Sequence, residues 1–306
     1  MNTRPKLILA AVDFSTSSRT ALEHAARLAL HHGAKLHVLH IIDSLALTML
    51  AARRGEAFES AVSRAQEGTH NAMNEWLSHS NLPAGYEVTL VVGAPLHEIL
   101  EHVKSLQADL LVAGVAGASE HAEGAGSVAA KLARKCVVDV LLVRSGQAQA
   151  FGKIIAALDL SDHSADVAAA AYAMAAAEGA EVAVDLLRVW SDPGSMLPVM
   201  GPFGESGLSL DQAALPPSEV LMQKVTAGLQ VHAVNAPAGI GVNVVVVESR
   251  KAGEGIAEQG RRSGAGLVVI GALGRTNLRY LLLGSTAERL LARVSCSVLV
   301  VKPAAE

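Results

Sequence analysis

The stretch IGALGRTNLRYLLLGSTAERLLARV (270–294) decides the fold more than any other part of the chain. Two residues separate Gly271 from Gly274, and nine residues separate Gly274 from Gly284. The hydrophobic run LVVI just before Gly271 predicts a short buried strand, and TAERLLARV predicts the start of an amphipathic helix. The glycines therefore fall at a strand tip and again at a helix N-terminus.

These positions suit a bound phosphate. Glycine permits positive φ and lets the backbone approach a ligand, and a helix starting near Gly284-Ser285-Thr286 has unpaired N–H groups that favour an anion. Arg275 adds a charged donor for phosphate oxygens. Ser285 and Glu288 also fit a capping box, which is compatible with ligand binding. The stretch predicts a nucleotide-binding loop.

The G-x2-G-x9-G-[ST] pattern resembles the ATP-binding signature of the universal stress protein family. The segments IIAALD (154–159) and CSVLVVK (296–302) support this resemblance. It implies that Asp159 lies against adenine and ribose and that the backbone of Val189 reads the adenine edge. Mg²⁺ would accompany the triphosphate and be held mainly by the phosphates. An N-cap of the following helix is the alternative role for Asp159. The nucleotide-binding residues that it implies are Asp159, Val189, Gly271, Gly274, Arg275, Gly284, Ser285 and Thr286.

The chain repeats itself, which indicates two similar domains. Asp13 aligns with Asp159, and the boundary falls near residues 145–151, giving domains at 1–147 and 151–306. The resemblance therefore covers nearly the whole chain, twice, as a tandem universal stress protein. The repeated pairs of segments are 6–43 with 153–190, 108–117 with 265–274, and 133–144 with 292–302.

Each half predicts an α/β fold with a doubly wound, parallel, five-stranded, Rossmann-like sheet. The strands are short Val/Ile/Leu runs without alternation, as expected when helices cover both faces. Ligands of such sheets bind at the carboxyl ends of strands, where Asp13, Asp159, Gly114 and Gly271 fall. We also expect the apolar last strands of the halves to meet as an intramolecular pseudo-dimer, because an open apolar edge favours aggregation. A homodimer of whole chains remains open.

The N-terminal half departs from the nucleotide pattern. Only eight residues separate Gly117 from Gly126-Ser127, and the loop between them carries Glu120 and Glu123 but no arginine or lysine. Carboxylates repel a triphosphate, so we predict that this cleft, with Asp13, Gly114, Gly117, Gly126 and Ser127, is degenerate for ATP. A metal site from His40, His121 and Glu123 is a weaker alternative, because no ligand pair has tight spacing.

Composition excludes several classes of function and location for this protein. A formal charge of −4 argues against nucleic-acid binding. The first apolar run is too short for a signal sequence, and no run is long enough to span a bilayer, so we expect a cytoplasmic protein. Cys136 and Cys296 give neither a disulfide framework nor zinc spacing and are expected to be buried and inert.

No catalytic constellation stands out, so the chain predicts an ATP-binding, stress-associated regulatory protein with at most slow ATP hydrolysis. The open alternatives are an interaction scaffold without nucleotide, an ATPase or hydrolase that uses the N-terminal cleft, and a carrier of an apolar small molecule. The carrier is suggested by residues 191–220, which are rich in Pro, Gly and Met early on and could form a lid or only a surface loop.

Overall fold

A computed structural model describes residues 4–115, 125–145, 150–179, 182–191, 218–273 and 283–303. The loop glycines Gly117 and Gly274, together with Arg275, lie outside these ranges. So do His121, Glu123 and residues 192–217, which make up most of the segment 191–220. The predictions made for those residues remain predictions.

The two halves contain the alternating strands and helices that the sequence predicts. The N-terminal half consists of β1 (Leu7–Val12), α1 (Thr16–His32), β2 (Lys35–Asp43), α2 (Ser44–Arg54), α3 (Phe58–Ser78), β3 (Glu87–Gly93), α4 (Pro95–Ser105), β4 (Leu110–Gly114), α5 (Ser127–Lys135) and β5 (Asp139–Val143). The C-terminal half consists of β6 (Lys153–Ala157), α6 (Ser164–Glu178), β7 (Ala183–Trp190), α7 (Ser218–Ala233), β8 (Val242–Glu248), α8 (Ala252–Ser263), β9 (Leu267–Gly271), α9 (Ser285–Leu291) and β10 (Ser297–Val301).

All ten strands form one sheet in the order β3-β2-β1-β4-β5-β10-β9-β6-β7-β8. Within each half the strands run parallel, which confirms the predicted fold class. The last strands pair antiparallel, with Val298 opposite Leu142 and Val300 opposite Val140. The two apolar edges therefore cover each other, and the two five-stranded sheets continue into one.

Hydrophobic side chains pack on both faces of the sheet, which explains the lack of polar alternation in the strands. On β1, for example, Ile8 and Ala10 belong to the cluster under α1 and α6, while Leu9 packs on the opposite face with α4 and α5. Each cluster contains residues of both halves. The junction is thus continuous hydrophobic core rather than a thin contact between separate domains.

The cysteines and the helices also bear on the predictions. Cys136 and Cys296 are buried and free, as expected. Burial raises the pKa of the Cys296 thiol to about 11, which disfavours the reactive thiolate. Among the described residues, no helix is long and apolar enough to cross a membrane. Within the same part of the chain, no three His, Cys, Asp or Glu side chains cluster as metal ligands.

Candidate functional site

A cavity of about 570 Å³ opens at the carboxyl ends of the strands in the C-terminal half. The turn after β6, the end of β7, the residues after β8, the end of β9 and the start of α9 form its walls. The cavity lies where the strand order reverses, between β6 and β9, which is the usual ligand position in doubly wound sheets. Six of the predicted site residues line it: Asp159, Val189, Gly271, Gly284, Ser285 and Thr286.

Asp159 closes the turn between β6 and α6. Its Oδ1 accepts hydrogen bonds from the backbone N–H of Ser161 at 3.0 Å, from the Ser161 hydroxyl, and from the Ser164 hydroxyl at 3.2 Å. Burial opposes ionisation of the carboxyl group, but these bonds and the nearby Arg188 together hold the pKa of Asp159 below its ordinary value. Asp159 therefore faces the cavity as a carboxylate.

The alternative role of Asp159 as a helix N-cap is wrong. His163 is the N-cap residue of α6, and no side chain caps that helix. Asp159 makes a local aspartate turn, in which its side chain bonds the backbone two residues later. The same turn occurs in the N-terminal half, where Asp13 accepts from the N–H of Ser15 at 3.0 Å.

The residue after each of these aspartates has positive φ. Leu160 has φ 59° and Phe14 has φ 62°, although neither is glycine. A left-handed conformation costs an L-residue with a Cβ atom roughly 1–2 kcal/mol. The same unfavourable conformation occurs in both halves, after Asp13 and after Asp159. The turn that holds the carboxylate therefore belongs to the repeated fold rather than to the sequence of one half.

Val189 lies near the end of β7, beyond the last residue that pairs with β6, so its backbone can contact a ligand. The last registered pair of β6 and β7 joins Ala157 to Leu187, and the carbonyl of Leu187 accepts from the N–H of Leu158 at 2.8 Å. Val189, two residues further along β7, directs its N–H and C=O to the same side, level with Asp159. Its side chain is buried on the other side of the sheet from that of Arg188.

The glycine that ends β9 is explained by packing rather than by unusual backbone geometry. Gly271 does not adopt positive φ, and neither does Gly284, whose φ is −75°. A Cβ atom at Gly271 would lie 3.1 Å from His163 Cδ2, 3.2 Å from the carbonyl of Leu273 and 3.4 Å from Val167 Cγ2. Glycine at this position therefore lets β9 approach the start of α6, and the positive φ that glycine permits is not used at Gly271 or Gly284.

The start of α9 differs in two ways from the expectation. The N–H of Gly284 already donates to the carbonyl of Ala272 at 2.6 Å and thereby closes the loop. The N–H groups of Ser285 and Thr286, in the first turn of α9, are therefore the ones placed to bind a ligand. The predicted capping box of Ser285 and Glu288 is also wrong, because Gly284 is the N-cap residue of α9 and no side chain caps the helix. Glu288 instead pairs with Arg134 of the N-terminal half at 2.6 Å.

Three residues that sequence reasoning missed also line the cavity: Arg188, Trp190 and Arg250. Arg188 Nη1 donates to the carbonyl of Leu158 at 3.4 Å, immediately before Asp159. The sheet register makes Arg188 the counterpart of His40, whose Nδ1 donates to the carbonyl of Val12 at 2.8 Å. Aligning the repeats strand by strand would have found this substitution of a permanent cation for a histidine.

The N-terminal half has the same framework with different chemistry. Gly114 ends β4, Gly126 is the N-cap of α5, and Ser127 is its first residue. The N–H of Gly126 donates to the carbonyl of Val115 at 2.7 Å, matching the bond made by Gly284. Each loop-closing bond therefore has a counterpart in the other half.

Aromatic side chains pack beside Asp13 in that half. The Phe14 ring lies 4.5 Å from His40 and 5.6 Å from Trp76, measured between ring centroids. Arg19 lies over Trp76 at 3.8 Å from the ring centroid. Burial lowers the pKa of His40 more than its bond to Val12 raises it, which favours the neutral imidazole.

Comparison with known proteins agrees with this architecture. The model of the Universal stress protein family matches residues 5–144 and again residues 150–302. The chain belongs to the universal stress protein family. The two matches cover nearly the whole chain, so it is a tandem member, as the repeats indicate.

Individual relatives support the fold more than they specify a function. Universal stress protein E of Escherichia coli K12 is 36% identical over 75 residues, which is 24% of this chain and 24% of that protein. The aligned stretch thus spans about a quarter of the length of that curated relative. A putative universal stress protein from Pseudomonas aeruginosa UCBPP-PA14 has a TM-score of 0.64 at 19% identity, covering 98% of this chain and 94% of its own. A universal stress protein from Archaeoglobus fulgidus has a TM-score of 0.60 at 18% identity, with 97% and 96% covered.

Proposed function

We propose that this universal stress protein binds one ATP, together with Mg²⁺, in the cavity of its C-terminal half, and that the bound nucleotide serves a regulatory role in a stress response. One observation carries the proposal. A single cavity has an ionised carboxylate, Asp159, at the β6 end and the N–H groups of Ser285 and Thr286 at the α9 end. The carboxylate suits the hydrogen-bond donors of a nucleoside, and the N–H groups suit the negatively charged phosphates that are joined to it.

The nucleoside is proposed to lie between Asp159 and Val189. An ionised carboxylate accepts hydrogen bonds only, so it selects hydroxyl or amino groups, which ribose and adenine both carry. The N–H and C=O of Val189 supply one donor and one acceptor side by side, which suits a base edge that carries an acceptor beside an amino group.

The phosphates are proposed to lie at the start of α9. Helix N-terminal N–H groups and the helix dipole favour negative charge. Gly274 and Arg275 belong to the same loop in the sequence and are proposed to complete the phosphate contacts. Mg²⁺ would bind through phosphate oxygens and water, since it usually retains several waters at such sites.

The N-terminal half is proposed not to bind ATP. It has the loop-closing bond of Gly126 and the aspartate turn of Asp13, but its loop is one residue shorter and carries two glutamates. Among the described residues, His40 occupies the position of Arg188, and burial lowers the pKa of its imidazole, which favours the neutral form over a cation.

Native mass spectrometry of the intact chain tests this proposal. With Mg²⁺ and ATP added, we expect the mass of one ATP per chain. Adenosine and inorganic triphosphate should each displace ATP, because each occupies one end of the cavity. Failure to bind any of the three would favour the scaffold, whereas an apolar ligand carried through purification would favour the carrier.

A further inference from the structure

The two ends of α9 have neighbours in different halves of the protein. Its first residues line the C-terminal cavity. At its other end, the carbonyl of Leu291 accepts from the N–H of Ala125 at 2.8 Å, and the carbonyl of Val294, just beyond, accepts from Arg144 Nη2 at 3.0 Å. Ala125 and Arg144 both belong to the N-terminal half. A helix that forms a wall of one half's cavity is therefore held by the other half.

Arg144 is itself fixed by the junction of the sheet. It follows β5, the strand that pairs with β10, and its backbone N–H donates to the buried Ser297 hydroxyl at 3.1 Å. The pairing of β5 with β10 thus places the guanidinium of Arg144 at the end of α9. A cation near a helix C-terminus interacts favourably with the helix dipole.

The junction repeats this arrangement in the opposite direction. Lys302 follows β10, its backbone N–H donates to Asp139 Oδ1 at 2.7 Å, and its Nζ donates to the carbonyl of Ala133 in α5 at 2.6 Å. Each half therefore caps the end of the other half's last helix, Lys302 at a carbonyl inside α5 and Arg144 at the carbonyl of Val294, three residues beyond α9. The two caps differ in consequence, because α9 borders the proposed nucleotide site whereas α5 follows the short acidic loop.

We propose that Arg144 is a positioning residue for the C-terminal nucleotide site, through which the N-terminal half sets the affinity for the phosphates. This inference rests on the proposed function. Helix α9 has seven residues, so only about 10 Å separate the capped end from the Ser285 and Thr286 N–H groups. So short a helix is not stable alone, and its position follows its contacts. Loosening the Val294 end displaces the N–H groups relative to Asp159.

Binding of ATP and adenosine by Arg144→Gln tests the inference, with both affinities measured by calorimetry on the intact chain. We expect the ATP affinity to fall about tenfold, within the usual range of coupling between sites. Adenosine affinity should stay at the wild-type value, because Asp159 and Val189, which are proposed to hold the nucleoside, belong to the turn after β6 and to β7 rather than to α9. Arg144→Lys should recover most of the ATP affinity, since an ammonium group can also donate to the Val294 carbonyl.

Lys302→Met is the matched control, because it removes the equivalent cap from α5. We expect it to change the ATP-to-adenosine affinity ratio by less than about twofold. A purely structural role of Arg144 predicts that both ligands weaken together. Either that result, or an equal change of the ratio in Lys302→Met, would overturn the inference.

A second variant keeps the test decisive if Arg144→Gln does not fold. Arg134→Glu lies on the surface and puts a like charge beside Glu288 of α9 in place of the 2.6 Å ion pair. We expect a smaller but still ATP-selective loss of affinity. An unchanged ratio in this variant would overturn the inference, whereas a wild type that does not bind ATP at all would instead refute the proposed function.

Discussion

Replacing Gly284 by aspartate tests where the phosphates lie. Gly284 is the N-cap of α9, with φ −75° and ψ 155°, a conformation that aspartate adopts readily. An N-cap aspartate accepts hydrogen bonds from the second and third helical N–H groups, here those of Thr286 and Ala287. Gly284→Asp would therefore occupy donors that the phosphates are proposed to use, and would add a negative charge beside them.

The electrostatic part alone is large. Two unit charges about 5 Å apart repel by about 3 kcal/mol at an effective dielectric constant of about 20, which corresponds to a roughly hundredfold loss of ATP affinity. At an ATP concentration 100 times its dissociation constant, the wild type gains about 2.7 kcal/mol, or about 4 °C for a chain of this length. For Gly284→Asp the gain falls to about 0.4 kcal/mol, which is less than about 1 °C.

Thermal unfolding with and without MgATP measures these shifts. Without ligand, Gly284→Asp should melt at or slightly above the wild type, because aspartate caps a helix a few tenths of a kcal/mol better than glycine. Gly284→Asn, which caps without charge, should retain an intermediate shift. Gly126→Asp makes the same change at the N-cap of α5 and should keep the full wild-type shift. A wild-type response in Gly284→Asp would show that the phosphates do not lie at α9.

Further predictions concern the carboxylate, the buried lysine and the two strand-end glycines. Asp159→Asn should weaken the binding of ATP and of adenosine, but not that of inorganic triphosphate, in a competition assay. The pKa of Asp159 is lowered in the folded state, so its ionised form adds stability that is lost as the pH falls below about 4. Acid unfolding of Asp159→Asn should therefore be less steep than that of the wild type. Burial lowers the pKa of Lys302 to about 8 from 10.5, so between these values the unfolded chain binds one more proton at this residue than the folded chain does. Across that window the free energy of unfolding of the wild type, measured by urea titration, should therefore rise by about 3 kcal/mol relative to that of Lys302→Met, while the buried Cys296 thiol titrates in both proteins. Gly114→Ala should destabilise the protein by about 1–3 kcal/mol and more than Gly271→Ala, because its Cβ would meet Ser17 Oγ at 2.7 Å and a backbone nitrogen at 3.0 Å; equal urea midpoints would contradict the packing argument.

The fold could be predicted because its signals are local and repeated. Hydrophobic strand runs, alanine-rich helices and the internal repeat specify two parallel sheets, and the apolar strands β5 and β10 indicate how they join. The strand-end positions of Asp159 and Gly271 follow from the same pattern, which is why the structure brings them to one cavity.

The finer features depend on contacts between distant residues. The capping box fitted the local sequence, but Glu288 finds Arg134, more than 150 residues away, and Gly284 uses its N–H to close the loop. The positive φ of Leu160 comes from the aspartate turn and could not be read from a leucine. The equivalence of Arg188 and His40 becomes visible only through the strand register.

A crystal structure of the intact chain with Mg²⁺ and a non-hydrolysable ATP analogue would show directly whether the C-terminal cavity binds ATP with its phosphates at α9. We predict one nucleotide per chain, with adenine beside the Val189 backbone, ribose or adenine within hydrogen-bond distance of Asp159, and phosphates at the N–H groups of Ser285 and Thr286. The N-terminal cleft beside Asp13 should hold none. A nucleotide in that cleft, or phosphates directed away from α9 in the C-terminal cavity, would contradict it.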